Sequence, residues 1–199
     1  MLNFEIKQLQ ELNKIKSALQ NALDQPNKEV SDQELLKAIE KSDQKALEAL
    51  YERYFPRLSR FITRITQDSH ESLDVINEVF IVVWNKAGVF RGESSPSTWI
   101  MGIAYNLAMT AVRKRRQWLS FSDDLDDAVS VEGYSSDLDD ISKLLHKLTP
   151  EQRAIMELTY VFGYSYSEIA LMLDCSEGNV KHSLYDARKK SKKIMEVFR

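Results

Sequence analysis

Cysteine, histidine and glycine are all scarce: 199 residues hold one Cys, three His and six Gly. A lone thiol, Cys175, excludes an internal disulfide and fits a reducing cytosol. Together with His70, His146 and His182 it gives no metal-ligand spacing, so neither a metal nor another cofactor is expected. No glycine-rich phosphate loop follows a strand and no nucleophile–base pair is evident, so an enzyme reading and a small-molecule substrate have little to stand on. No apolar run approaches the ~18 residues of a membrane span. The N-terminus lacks the basic-then-apolar order of a secretory signal.

An excess of positive charge is missing too, since the net charge is −3. That total hides an asymmetry. Residues 1–118 carry 17 Lys/Arg against 15 Asp/Glu, and residues 141–199 carry 10 against 7. Between them, residues 119–140 hold 8 acids and no base. An acidic strip therefore masks two mildly basic flanks, as expected of two modules joined by a linker, each facing an anion.

What is present is helical pattern. Leu2, Ile6, Leu9, Leu12, Ile15, Leu19 and Leu23 recur at three- and four-residue steps, predicting an amphipathic helix ended by Pro26. Ser31 with Glu34 makes a capping box ahead of Leu35, Leu36 and Ile39. A longer helix is predicted from about Asp43 to Thr66, bent at Pro56. Asp68 caps the next, and Ser95-Pro96 starts one that runs to about Gln117. From Ser120 to Asp140 the chain has no apolar period and reads as a solvated linker. Helical pattern resumes near Leu138, and Thr149-Pro150, Ser165 with Glu168, and Ser176 open three more helices. The expected fold is all-α, with two small helical domains. Its parts are an amphipathic extension (1–30), a first domain (31–118), the acidic linker (119–140) and a second domain (141–199).

Some helix faces carry more than a core needs. On the helix after Asp68, Leu73, Ile76, Phe80, Val83, Trp84 and Ala87 share the predicted core arc at about 100° per residue. Asp74, Glu78, Ile81 and Asn85 fall on a second arc, and Val75 and Val82 also lie outside the core stripe. Either this helix is buried on two sides within its own domain, or the second arc is a partner-binding face of mixed acid and apolar character. On the helix after Ser95, Ile100, Ile103, Ala104, Leu107 and Ala111 make the inner face. Gly102, Asn106, Met109 and Arg113 share the outer face, with Tyr105 and Arg116 beside it. The run Arg113-Lys114-Arg115-Arg116 before Trp118 exceeds what the helix dipole accounts for. A cationic track with flanking rings suits single-stranded nucleic acid. Ahead of it, the polar loop Phe90-Arg91-Gly92-Glu93-Ser94-Ser95 could surround an extruded base.

The C-terminal part carries the sharper local signal. A short helix over 165–173, with Ile169, Ala170 and Leu173 inward, meets a tight turn at Asp174-Cys175-Ser176. The next helix has Val180, Leu184, Ala187, Ser191 and Ile194 on one face. Gly178, Lys181, His182, Tyr185, Lys189 and Lys192 lie on another, with Arg188 at its edge. This is the helix-turn-helix pattern, whose second helix enters the major groove. The alternative is a helical hairpin with a solvated lysine-rich tail.

Residues from about Leu50 to Trp118, then Leu148 to Lys193, resemble the two domains of extracytoplasmic-function sigma factors of bacterial RNA polymerase. Leu50-Tyr51-Glu52-Arg53-Tyr54, Asp74-Val75-Ile76-Asn77-Glu78-Val79-Phe80, the Phe90–Ser95 loop, Thr98-Trp99-Ile100 and Ile103-Ala104-Tyr105-Asn106-Leu107-Ala108 carry the first. Leu148-Thr149-Pro150-Glu151-Gln152-Arg153, Gly163-Tyr164-Ser165-Tyr166, Glu168-Ile169-Ala170 and Ser176-Glu177-Gly178-Asn179-Val180-Lys181 carry the second. The resemblance implies that Asp74, Asn77, Glu78, Ile81 and Asn85 face core polymerase. It implies that Arg91, Gly92, Ser95, Trp99, Asn106, Arg113 and Arg116 open and read the minus-ten promoter element. The last helix, with Gly178, Asn179, Lys181, His182, Tyr185, Arg188, Lys189 and Lys192, would read the minus-thirty-five element. It further implies a cytoplasmic protein restrained by an anti-sigma factor, often membrane-tethered. Asn77 stands where the family usually has Gln, Asn179 where it has Thr or Ser, and His182 where it has a small residue. These departures keep the class and leave the promoter sequence open. A conventional transcription regulator would share the helix-turn-helix but would not need the block from Asp74 to Trp118.

Overall fold

Each helix begins where a short polar side chain can take up the N–H groups that an α-helix leaves unpaired. The computed structural model describes residues 30–121 and 147–197, and among them are seven α-helices and no strand. Helix α1 is Asp32–Glu40 and α2 is Gln44–Thr66, the latter capped by Asp43, which accepts from the N–H groups of Lys45 (2.9 Å) and Ala46 (3.2 Å). Helix α3 (Ser69–Lys86) is capped by Asp68, which accepts from His70 and Glu71 at 2.9 and 3.0 Å, and a 3-10 turn, Ala87–Val89, extends it. Ser95 starts α4 (Pro96–Phe121), its hydroxyl accepting from the Thr98 N–H at 3.0 Å. Nothing in Trp118-Leu119-Ser120-Phe121 breaks a helix, and α4 runs past the end expected near Gln117.

Helix α5 (Pro150–Tyr160) opens on a reciprocal box between Thr149 and Gln152, and α6 (Tyr166–Leu173) on one between Ser165 and Glu168. Asp174, in the left-handed region at φ 51°, makes the turn into α7 (Glu177–Val197), where Ser176 Oγ accepts from the Asn179 N–H at 3.2 Å. The amphipathic stretch expected at 1–25, the linker from 122 onward and the helical pattern near Leu138 lie outside the described residues. No described helix is long and apolar enough to cross a membrane.

Helix α2 is the hub. Leu50, Leu58, Phe61, Ile62 and Ile65 are fully buried along it, and Pro56 is tolerated amid them although it deletes one rung of the ladder. Ile76, Val79 and Val83 of α3 and Ile100, Met101, Ala104 and Ala108 of α4 join the same cluster. So do Ile155, Leu158, Ile169 and Val180 from the helix-turn-helix part. From Asp32 onward the two parts form one compact unit with a continuous core.

The stripe on α3 sits one row away from the expected one. Leu73 is 47% exposed and Val75 only 4%, because α2 and α4 cover adjacent sides of the helix and the covered arc centres on Val79. Trp84 is half-buried, whereas Ile76, Phe80, Val83 and Ala87 are in the core as expected. On α4, Ile103, Leu107 and Ala111 are half-buried, and Met101, Ala108 and Val112 take the deep positions beside Ile100 and Ala104. On α6 it is Met172, not Leu173, that is fully inward with Ile169 and Ala170.

The Ser165 box gives a direct stability test. Ser165→Ala removes the hydroxyl that accepts from the Glu168 N–H (3.3 Å) and should cost about 1 kcal/mol. That corresponds to roughly 2–4 °C in a thermal melt. Hydrogen bonds from the Ser165 hydroxyl and backbone hold the Glu168 carboxyl below the usual range. Its contribution is therefore present above the unfolded pKa and lost as pH falls through the folded one. The stability gap between the native chain and Glu168→Gln should close on acidification, measured by denaturant melts across pH.

Candidate nucleic-acid interface

Helix α3 turns its second arc outward. Asp74, Asn77, Glu78, Ile81 and Asn85 are all exposed, Ile81 at 59%. Leu73, which periodicity assigned to the core, stands on this surface as well, so Leu73, Asn77, Ile81 and Asn85 form one four-residue-spaced row. Two large aliphatic groups among acids and amides, on a helix whose opposite side is buried, suit a partner better than water.

The loop before α4 is built by its ends. Phe90 and Trp99 pack with ring centroids 5.2 Å apart, leaving Trp99 half-buried beside the loop. Gly92 holds φ +74°, a left-handed conformation that favours glycine, and a Cβ there would lie 3.6 Å from Gln33 Nε2 of α1. Arg91, Gly92 and Ser95 are exposed, but the Ser95 hydroxyl is already engaged as the cap and with Thr98 Oγ1 at 2.8 Å.

On the outer row of α4, Asn106 and Arg113 are exposed, and Met109 is half-buried. Arg113 lies along its own helix, donating to Met109 O (3.3 Å) and Thr110 Oγ1 (3.1 Å). Arg116 is exposed, and Trp118 is 70% exposed beside it in sequence. Gly102 and Tyr105 were expected on or beside this outer face and are buried instead, because α6 lies across them. A Cβ on Gly102 would come within 3.4 Å of Met172 Cα. Burial pushes the Tyr105 hydroxyl up to about 12, with Glu151 and Cys175 of the second module adding to the shift.

The four-cation run also divides. Arg115 donates from Nη1 to Glu71 at 2.8 Å and from Nη2 to Thr66 O at 2.6 Å. Burial raises the Glu71 carboxyl, outweighing the opposing effect of Arg115. Arg115 is thus structural, clamping the α2–α3 corner, whereas Arg113, Lys114 and Arg116 face solvent. Periodicity had no means of separating them, since only the reach of one guanidinium to another helix does so. Arg153 was also missed. It is buried in α5 and donates to Leu148 O (2.9 Å) and to Ile65 O of α2 (3.0 Å).

Helix α7 presents the third surface. Val180, Leu184 and Ala187 are buried against α5 and α6. Gly178, Asn179, Lys181, His182, Tyr185, Arg188, Lys189 and Lys192 are all exposed, Tyr185 at 63%. Lys181 pairs with Glu177 at 3.4 Å, and His182 Nε2 lies 3.5 Å from Asp186. Arg188 donates to the Tyr160 hydroxyl and stacks 5.3 Å from that ring. The chain thus has an exposed basic second helix behind a three-residue turn. A basic helix lying along a duplex phosphate track is the geometry that this arrangement permits.

Comparison with known proteins gives two family matches, sigma-70 region 2 over residues 50–118 and sigma-70 region 4 over residues 138–190. An ECF RNA polymerase sigma factor of Bacillus subtilis, SigX, is 30% identical over 170 residues, covering 78% of this chain and 87% of its own. Two solved structures share the fold. The sigma factor RpoE from Bartonella quintana, in complex with the anti-sigma factor NepR, has a TM-score of 0.66 at 24% identity, covering 78% of this chain and 99% of its own. CnrH in complex with the cytosolic domain of CnrY has a TM-score of 0.64 at 21% identity, covering 83% and 97%.

The division of the cationic run predicts unequal costs. Arg115→Met should lower stability by about 1–2 kcal/mol through two lost charge-assisted hydrogen bonds. Arg113→Met and Lys114→Met should stay within about 0.5 kcal/mol of the native chain in the same denaturant melts.

Proposed function

Because the chain belongs to the ECF sigma factors of bacterial RNA polymerase, we propose that it acts as an alternative sigma factor. It binds core polymerase, recognises promoter DNA through both modules and opens the duplex for transcription initiation. The observation that carries the assignment of surfaces is their separation: three exposed faces, on α3, on α4 with its loop and on α7, each opposite a buried side. Promoter recognition and opening require no side-chain catalysis, and we place the activity in the cytoplasm, with the polymerase.

The row on α3, with Asp74, Asn77, Glu78, Ile81 and Asn85, is assigned to core polymerase, and Leu73 is added to it. Docking there buries two aliphatic groups while the acids steer the approach. Arg91, Gly92, Trp99 and Asn106 form the pocket for an extruded minus-ten base, and Arg113 and Arg116 hold the strand's phosphates. Unstacking a base costs a few kcal/mol, which a preformed aromatic-edged pocket offsets. On α7, Lys181, His182 and Tyr185, near the amino end, read base edges, and Lys189 and Lys192 meet phosphates. We take residues 31–118 and 141–199 as the two functional domains and 119–140 as the linker that threads through the polymerase. An anti-sigma factor is the proposed regulator. The solved structure of RpoE, which shares the fold and was captured with the anti-sigma factor NepR, supports this reading.

Run-off transcription with core polymerase on a genomic promoter library tests the assignment. Specific transcripts should require both the chain and core. A conventional regulator would instead bind its operators equally well without polymerase, and that result would overturn the proposal.

Two substitutions probe the surfaces. Asp74→Arg with Ile81→Glu should weaken core binding by about tenfold to a hundredfold, read by fluorescence anisotropy, with an unchanged melt because both positions lie off the core. Native-level affinity would remove this face from the assignment. On α7, His182→Ala should change promoter preference, whereas Lys192→Ala should weaken all promoters alike and reduce the salt slope by about 1. Equal, uniform losses from both would refute that division.

A further inference from the structure

Helix α1 forms a floor beneath the loop ahead of α4, and one of its side chains is left unengaged there. The helix lies ahead of residues 50–118, the segment matched to sigma-70 region 2. Two glycines on the way into the loop lie against it. A Cβ on Gly88 would meet Glu40 Cγ at 3.3 Å, and one on Gly92 would meet Gln33 Nε2 at 3.6 Å. The chain from Gly88 to Gly92 therefore runs along α1 from its carboxyl end toward its amino end. At φ +74°, Gly92 holds a conformation that other residues rarely adopt, so the bare approach to Gln33 is built into the backbone.

The amino end of α1 is firmly held. Asp32 accepts from Arg53 Nη1 and from the Tyr54 hydroxyl of α2, each at 2.5 Å. Burial, reinforced by Asp32, holds that hydroxyl above its ordinary value, so it stays a donor. Leu35, Leu36 and Ile39 anchor the other side of the helix in the core. Gln33 follows Asp32 directly and is exposed, and its carboxamide makes no hydrogen bond among the described residues. An exposed glutamine is ordinarily no more than a solvated side chain. This one stands on a fixed backbone, beside the point of the loop that has no side chain.

We infer that Gln33 is a specificity-determining residue of the minus-ten pocket: its carboxamide hydrogen-bonds the edge of the base that the loop extrudes. The inference rests on the sigma-factor reading and extends its pocket to a helix that the reading leaves without a role. Among the side chains assigned to that pocket, Arg91 and the Trp99 indole can only donate, and Asn106 alone can accept. Adenine and cytosine carry amino groups that need an acceptor. Gln33 supplies a second one, with a donor beside it, and that pairing matches the adjacent donor and acceptor of a base edge.

Binding of holoenzyme to pre-melted promoters tests this. Core polymerase with the full chain is titrated against fluorescent promoter duplexes, drawn from the run-off library, that carry each of the four bases in turn at every minus-ten position. The native chain should discriminate strongly at the extruded position. Gln33→Met keeps the length and loses the amide; it should cut that discrimination about tenfold at one position, with core affinity and the thermal melt unchanged. Gln33→Glu can only accept, and it should shift the preference at the same position toward guanine, whose N1–H and amino group are adjacent donors. An equal loss for all four bases in Gln33→Met would make Gln33 a support for the loop and overturn the inference. So would native preferences in both variants. A native holoenzyme with no preference at any minus-ten position, or a chain that binds these duplexes equally well without core, would instead sink the sigma-factor reading itself.

Discussion

The carboxyl end of α2 is the point on which the arrangement depends. A helix ends with carbonyls that lack intrahelical partners and with a partial negative charge. Here those groups are answered from three directions. The Gln67 N–H takes Thr63 O at 2.8 Å, Arg115 of α4 takes Thr66 O at 2.6 Å, and Arg153 of α5 takes Ile65 O at 3.0 Å. Beneath them, Thr66 and Ser72 are buried with their hydroxyls 3.0 Å apart, closing the corner into α3. One helix end thereby orients the start of α3, the end of α4 and the second module.

This convergence has an electrostatic consequence. Burial, with Arg116 and Arg115 nearby, lowers Arg153 to about 10, so it remains a cation at neutral pH. The attraction of the helix end must offset both desolvation and that repulsion. The cationic run of α4 thus sits beside a buried like charge, at the place where a phosphate backbone is proposed to lie.

Surface charge follows the same economy. A chain of net charge −3 does not bind duplex DNA by general attraction, so its affinity must come from local faces. Those faces are narrow: Arg113, Lys114 and Arg116 on α4, and Lys181, Lys189 and Lys192 on α7. Two cations near them are already engaged, Arg188 with Tyr160 and Lys190 with Gln152 at 3.2 Å.

Much of this was legible in one dimension. Capping side chains and helical periodicity are local, and they placed the starts of α2 to α7, the outward row of Asp74, Glu78, Ile81 and Asn85, and the exposed side of α7. A cap or a stripe needs only residues within a turn or two, so its physics is written in adjacent letters. Periodicity gives an angle around an axis but not what stands there. Leu73 and Val75 exchanged roles because two neighbouring helices, not one, cover α3. Gly102 and Tyr105 went under because α6 crosses α4 at a residue with no side chain to hold it away. Arg115 and Arg153 left the pool of available cations because each reaches a carbonyl 49 or 88 positions distant in sequence. Sequence determined the helices and their chemistry; the tertiary structure decided which of those groups remain available, because availability depends on what packs against them.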